Sequence, residues 1–243
     1  MVLRLSKMNG LATRRKLLCE AAVLQFLTAN TALPIPIVRF HTTEQTFSSH
    51  NPLMLVSKCE GDRLDYVWGR MTLESKTSII QQMAGFVCEL FRVRRQTQIG
   101  TLHWWDQTRC HVIAPSGTLS RTPPAAFACA DDLILFCLDC NANDTNVIGT
   151  EEVDKRDALA TVQLIRSNPE VWKAELLEND IQMLVHLDSE PRNILVTETC
   201  EVTGLVDWEF SMFLPPGLAV QYPVNNFIAS IRPSKLKPVL GTI

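Results

Sequence analysis

Three short apolar runs separated by polar connections, between residues 183 and 207, constrain the fold of this 243-residue chain most strongly. Residues 183–185, 194–196 and 202–206 are apolar enough to form buried strands. The first connection contains Pro191 and cannot continue a strand, so the chain must loop there. If the last two strands form a hairpin, Asp207 returns close to the point where Asn193 begins the second strand.

Polar side chains stand at the ends of these strands. Asp188 lies in the first connection, Asn193 opens the second strand and Asp207 follows the third. Carboxylate and amide oxygens are the hard ligands that suit Mg²⁺, and a nearby carboxylate can take a proton from a hydroxyl. Taken singly, these residues are common turn formers. Their order and spacing together predict a divalent-ion site with a carboxylate base.

The segment from His186 to Asn193, followed by the Asp-Trp-Glu sequence that begins at Asp207, resembles the catalytic loop and metal-binding turn of a known family. This is the aminoglycoside phosphotransferase and choline kinase family, which is related to protein kinases, and its fungal members are the most similar. The resemblance implies that Asp188 is the catalytic base and that Asn193 and Asp207 are the Mg²⁺ ligands. It also implies that His186 braces the loop by hydrogen bonds. Glu209 either lies beside the metal ligands or faces solvent.

Further matches run upstream in the same order. Residues 1–5 resemble the strand whose basic residue, here Arg4, contacts the α- and β-phosphates. Residues 17–22 resemble the helix whose glutamate, here Glu20, fixes that basic residue.

The next two strands and the hinge that carries adenine are matched by residues 34–38 and 52–58. Ser57 and Lys58 fall at the hinge, so the resemblance implies that they contact the nucleotide.

The resemblance covers residues 1–95 and 180–215 and implies a two-lobed, protein-kinase-like α+β fold. Residues 1–58 would form an incomplete N-terminal lobe of strands and a helix. Residues 59–243 would form a mostly helical, shortened C-terminal lobe that carries the catalytic loop and the metal-binding turn.

Two departures from the family pattern stand out. Leu187 occupies a position that is normally glycine. The chain also contains no G-x-G sequence, so a glycine-rich loop that covers the phosphates cannot be placed on it. We therefore expect this polypeptide to be a fragment of a longer one.

The resemblance implies an ATP- and Mg²⁺-dependent transfer of the γ-phosphoryl group to the hydroxyl of a small molecule. The acceptor is not identified by the sequence. The alternatives are a catalytically impaired pseudokinase or binding module, because the phosphate-covering hairpin is missing, and a fragment of a longer active enzyme.

Composition favours a cytoplasmic protein with no nucleic-acid or membrane partner. The net charge is −3, which gives no field that would attract nucleic acid or acidic lipids. The most apolar stretch, residues 125–138, is too short to cross a bilayer.

Cys137 and Cys140 form a single C-x-x-C on a predicted helix, which is more typical of core packing than of a zinc or redox site. The oligomeric state stays open.

The middle of the chain has helical periodicity. Thr72 is a suitable N-cap for a core helix that continues to Arg94. Further helices are predicted at residues 125–138, 154–166 and 170–178, with a break at residues 141–144. The sequence His103-Trp104-Trp105 is either a surface-loop anchor packed on the core helix or an aromatic platform for a sugar or base.

Overall fold

The computed structural model combines helices with antiparallel sheets, which confirms the predicted α+β class. The residues it describes are 1–5, 11–42, 52–96, 98–104, 110–114, 123, 125–143, 152–169 and 181–219.

The first sheet contains β1 (Val2–Leu5), β2 (Val38–His41) and β3 (Leu53–Val56), in the order β1-β3-β2. Within the described residues, β1 pairs on one side only, with β3. The strand predicted at residues 34–38 is wrong in its position, because β2 begins only at Val38. Pro34 and Pro36 lack the backbone N–H that a strand ladder requires.

Helix α1 (Leu11–Asn30) lies at the centre of this part of the molecule. Every residue from 17 to 24 is buried, so the helix is covered on all sides and shows no polar face over that stretch. It packs against β2, β3, the strand β6 (Thr101–Trp104) and the turn at Trp208–Phe210. Glu20 is the one charged residue in the buried stretch, so it requires a compensating partner.

Helix α2 (Leu64–Val67) and a 3₁₀ turn lead into the long helix α3 (Leu73–Arg92). The predicted N-cap is confirmed, because the Thr72 hydroxyl accepts a 3.2 Å hydrogen bond from the N–H of Ser75. The predicted end at Arg94 is wrong. The helix stops at Arg92 because the next residues form a strand of their own. The helix is not buried on every side, since Ile80 is 47% exposed.

The strand after α3 is β5 (Arg94–Gln96), and it pairs with β8 (Ile181–Val185), which in turn pairs with β11 (Met212–Leu214). A further three-stranded sheet is assembled from sequence-distant strands. These are β4 (Asp62–Arg63), β9 (Ile194–Val196) and β10 (Val202–Leu205), in the order β10-β9-β4. The antiparallel pairing of β9 with β10 confirms the predicted hairpin.

The aromatic segment at 103–105 is not a surface loop on α3, so that interpretation is wrong where the structure describes it. His103 and Trp104 belong to β6, which pairs with β7 (Cys110–Ile113) and packs on α1. His103 is only 2% exposed, and the Trp104 ring stacks on His41 with centroids 6.1 Å apart. Trp105 lies outside the described residues.

Helix α4 (Ala130–Asn143) begins later than the predicted residue 125 and runs through most of the predicted break. The later start has a physical reason, since Phe127 exchanges two 2.9 Å backbone hydrogen bonds with Ile99 and is held in an extended bridge. Helix α5 (Glu152–Ser167) confirms the helix predicted at 154–166. The helix predicted at 170–178 lies outside the described residues.

Cys137 is a half-buried residue of α4, and the side chain of Cys140 is not among those described.

A short helix, α6 (Pro216–Ala219), follows β11. The buried apolar side chains form one cluster that extends from Leu17 to Ala219, and the division into lobes at residue 58 stays a prediction. None of the helices in the described part of the chain is long and apolar enough to cross a membrane.

Candidate active site

The loop from His186 to Asn193 follows β8 and is braced by the imidazole of His186. The Nδ1 atom accepts a hydrogen bond from the N–H of Asp188 at 3.2 Å, which places the ring proton on Nε2. That Nε2–H donates to the carbonyl of Val206 at 2.9 Å. Burial lowers the pKa of His186, against the opposing effects of the Val206 carbonyl and nearby carboxylates, so the ring is neutral. This geometry agrees with the bracing role expected for His186.

The carboxylate of Asp188 is oriented from two sides. Arg192 donates from Nη2 to both carboxylate oxygens, at 2.9 and 3.0 Å. Asn193 donates from Nδ2 to Oδ2 of Asp188 at 3.0 Å and to its backbone carbonyl at 2.8 Å. A carboxylate has about four lone-pair directions, and these contacts use three of them. Among the described contacts, Oδ1 therefore keeps capacity to accept one further hydrogen bond.

The β9–β10 hairpin brings the predicted metal ligands together. The N–H of Val206 donates to the carbonyl of Asn193 at 2.9 Å, and Asp207 follows directly. Asp207 has the left-handed values φ 69° and ψ 52°, a conformation that is uncommon outside glycine and is concentrated at functional sites. Because Nδ2 of Asn193 is held by Asp188, its amide oxygen is the atom available to a cation. The donor set is thus a carboxylate and an amide oxygen, which fits Mg²⁺.

Arg4 joins this turn to helix α1. Its guanidinium contacts the carboxylate of Glu20 through Nη1 and donates from Nη2 to Oδ1 of Asp207 at 2.9 Å. Burial opposes the charge on Arg4, but Glu20 and Asp207 together raise its pKa. Glu20 is 2% exposed. Burial raises the pKa of its carboxyl group, whereas the adjacent guanidinium of Arg4 favours the ionised form. Three predicted site residues from positions 4, 20 and 207 therefore form one network.

Ser57 and Lys58 line the same cleft of about 370 Å³ as Arg4, Asn193 and Asp207. The Ser57 hydroxyl accepts a 2.8 Å hydrogen bond from the N–H of Ile37, and the N–H of Ser57 donates to the Ile37 carbonyl at 2.8 Å. The side chain of Ser57 thus holds two segments of the first sheet together. The backbone N–H of Ser57 and one acceptor direction of its hydroxyl are used in these bonds, so its backbone carbonyl and hydroxyl proton are the groups left for a nucleotide.

Three residues at the site are not singled out by the sequence pattern. Lys16 lies 3.6 Å from a carboxylate oxygen of Glu209 and 4.2 Å from the centroid of the Phe210 ring. Arg192 holds Asp188, and Cys59 lines the cleft. The available signal for Lys16 is its spacing of four residues from Glu20, which places both on one face of a helix.

The side chain of Leu187 packs against the hydrophobic core. Apolar packing therefore accommodates Leu187 at the position where the family normally has glycine.

Comparisons with known proteins identify the family and the fold of this chain. The model of the phosphotransferase enzyme family matches residues 1–218. A fungal relative, the clavilactone A biosynthesis cluster protein Y of Ampulloclitocybe clavipes, is 26% identical over 212 residues, which is 84% of this chain and 52% of the relative.

Two solved structures illustrate the likeness of fold. The GDP complex of wild-type aminoglycoside 2′-phosphotransferase-IIIa has a TM-score of 0.57 and 17% identity, and the match covers 90% of this chain and 64% of that one. The GDP and kanamycin complex of APH(2″)-IIIa has a TM-score of 0.55 and 17% identity, over 86% of this chain and 60% of that one.

The fold is therefore protein-kinase-like, as predicted. The chain spans about half the length of the curated relative and under two thirds of these two structures. Because the family model matches the sequence from the strand of Arg4 to beyond the turn of Asp207, this chain belongs to the phosphotransferase enzyme family.

Proposed function

We propose that this chain is an ATP- and Mg²⁺-dependent phosphotransferase that moves the γ-phosphoryl group of the nucleotide to a small-molecule hydroxyl. The observation that carries the proposal is the position of Arg4, which contacts both Glu20 and Asp207 at the edge of the cleft that Asn193 lines. In this proposal the carboxylate that would bind the cation lies beside the guanidinium that would contact the phosphates. Phosphoryl transfer depends mainly on such positioning of charge.

In this proposal the residues have separate tasks. Asp188 accepts the proton of the acceptor hydroxyl on the free direction of Oδ1, a contribution of about 10²- to 10⁴-fold in rate for a general base. Arg4 contacts the phosphates, and Glu20 fixes Arg4. Asn193 and Asp207 hold Mg²⁺, which when bound neutralises charge on the phosphate oxygens.

The nucleotide and the acceptor are the open parts of the proposal. Two of the structures with the same fold are GDP complexes, and one of them also holds kanamycin. Guanine nucleotides therefore need to be tested beside ATP, and a hydroxylated small molecule is the class of acceptor to screen.

The test is calorimetric titration with ATP and with GTP, each in Mg²⁺ and in EDTA. Asp207→Ala should weaken nucleotide binding in Mg²⁺ about tenfold or more, because loss of even an indirect metal contact costs 10- to 100-fold in metal affinity. The two proteins should bind alike in EDTA.

The matched control is Asp65→Ala, since Asp65 pairs with Arg63 and does not line the cleft. It should bind as the wild type does under all conditions. Equal Mg²⁺-dependent binding by the wild type and Asp207→Ala would overturn the metal assignment.

A further inference from the structure

Lys16 and Glu20 contact the metal turn (residues 207–210) from the same face of α1. They are four residues apart, which is about one helical turn. Lys16 lies 3.6 Å from Oε1 of Glu209, and its ammonium lies over the Phe210 ring at 4.2 Å. Both Lys16 and Glu209 are largely covered, with side chains 22% and 25% exposed. The ring contact restrains the ammonium beside Glu209.

The carboxylates at this turn form a concentrated negative group. One oxygen from each of Glu20, Asp207 and Glu209 lies within 4.8 Å of the others. Glu20 is only 2% exposed, and its buried Oε2 atom has no hydrogen-bond partner among the described residues. Such a group of oxygens is suited to a divalent cation. Two positively charged side chains already contact these carboxylates, because Arg4 contacts Glu20 and Asp207 while Lys16 contacts Glu209.

We propose that Lys16 is a positioning residue that holds Glu209 and so prevents the three carboxylates from capturing a divalent cation before the nucleotide arrives. The proposal rests on the proposed function, because it assigns the cation at Asp207 to the nucleotide complex. In the presence of Lys16, the protein alone offers a weak cation site. The phosphate oxygens of the nucleotide then complete the ligand set.

The experiment measures Mn²⁺ binding to the nucleotide-free protein by the electron paramagnetic resonance signal of the free ion. Lys16→Met keeps an unbranched stem on the Phe210 ring and removes the charge. It should bind Mn²⁺ about tenfold more tightly than the wild type, because the positive charge that contacts Glu209 beside the other two carboxylates is removed. A gain of binding is informative, since damage to the fold would weaken the site.

Three further variants sharpen the result. Lys16→Met combined with Glu209→Gln should return to the wild-type affinity, because the negative charge of Glu209 is then removed together with the positive charge of Lys16. Lys76→Met is the matched control, since Lys76 also lies over an aromatic ring, that of Trp68, away from the cleft. It should leave Mn²⁺ binding unchanged. Lys16→Gln is a second neutral variant that should reproduce the gain if Lys16→Met does not fold.

Wild-type affinity in both neutral variants would overturn the proposal, and so would an unchanged gain in the double variant. These outcomes are independent of the nucleotide titrations. If Asp207→Ala binds nucleotide in Mg²⁺ as the wild type does, the metal assignment of the proposed function fails while the Mn²⁺ titrations still decide what Lys16 does to Glu209.

Discussion

The proposed catalytic loop (residues 186–193) and the proposed metal turn are neighbours in space but are held in different ways. In the loop, Asp188 is bound by His186, Arg192 and Asn193, all within five positions of it. The metal turn is instead held by distant residues, and Arg4 and Asp207 are 203 positions apart. The loop is therefore organised locally, whereas the turn depends on the docking of β1 and α1.

The ion pairs of the two regions differ in the same way. Arg192 contacts Glu190 where both side chains are exposed, at 47% and 36%. Arg4 contacts Glu20 where the glutamate is 2% exposed. An exposed pair adds little to stability, while removal of one partner of a buried pair leaves an uncompensated charge. Substitutions in the loop should therefore change activity with little change in stability, whereas substitutions at the turn should change both.

The largest expected effect is on turnover, from Asp188→Asn in the catalytic loop. Phosphate release from ATP with water as acceptor should fall by about 10²- to 10⁴-fold, because the amide cannot take the proton. Nucleotide affinity should be nearly unchanged, and the free energy of unfolding should change by no more than about 1 kcal/mol. Glu190→Gln in the same loop is the control and should keep its turnover. Full turnover in Asp188→Asn would show that another group is the base.

The same contrast explains how much of the molecule its sequence predicts. The positions of Asp188, Asn193 and Asp207 follow from short-range patterning, since a proline-containing loop and a hairpin bring them together. The strand β5 and the end of α3 are not predictable in this way. Those residues become a strand because β8 offers an edge to pair with.

The side-chain contacts at the metal turn also depend on residues that are distant in the sequence. The contact of Lys16 with Glu209 needs the whole of α1 to be docked before the two charges meet. The burial of Glu20 likewise results from packing on every side of residues 17–24 of α1, and that stretch has no polar face to reveal its orientation. Tertiary packing, not local propensity, decides these contacts.

The second prediction compares the two ion pairs directly. Glu20→Ala should lower the free energy of unfolding by about 3 kcal/mol, at the lower end for a broken buried pair because Arg4 keeps Asp207 as a partner. Glu190→Ala should lower it by less than about 1 kcal/mol. Urea unfolding of both variants at pH 7 is the measurement. Equal losses would mean that the metal turn does not depend on α1 as its contacts indicate.

The smallest expected effect concerns His186, whose imidazole joins the two regions through Asp188 and Val206. Burial lowers the pKa of His186 in the folded protein below the ordinary value of 6.5, so the unfolded chain takes up a proton first on acidification. The stability that depends on neutral His186 is complete above pH 6.5 and is lost as the pH falls below it. From pH 6.5 to 5 this loss is at most about 2 kcal/mol. His186→Gln loses the imidazole contacts, so it should be less stable than the wild type at pH 7. It has no such proton to bind, so the difference in stability should narrow towards pH 5. Urea unfolding at pH 7, 6 and 5 measures the difference, and a constant gap across that range would show that His186 is not held neutral between the loop and the turn.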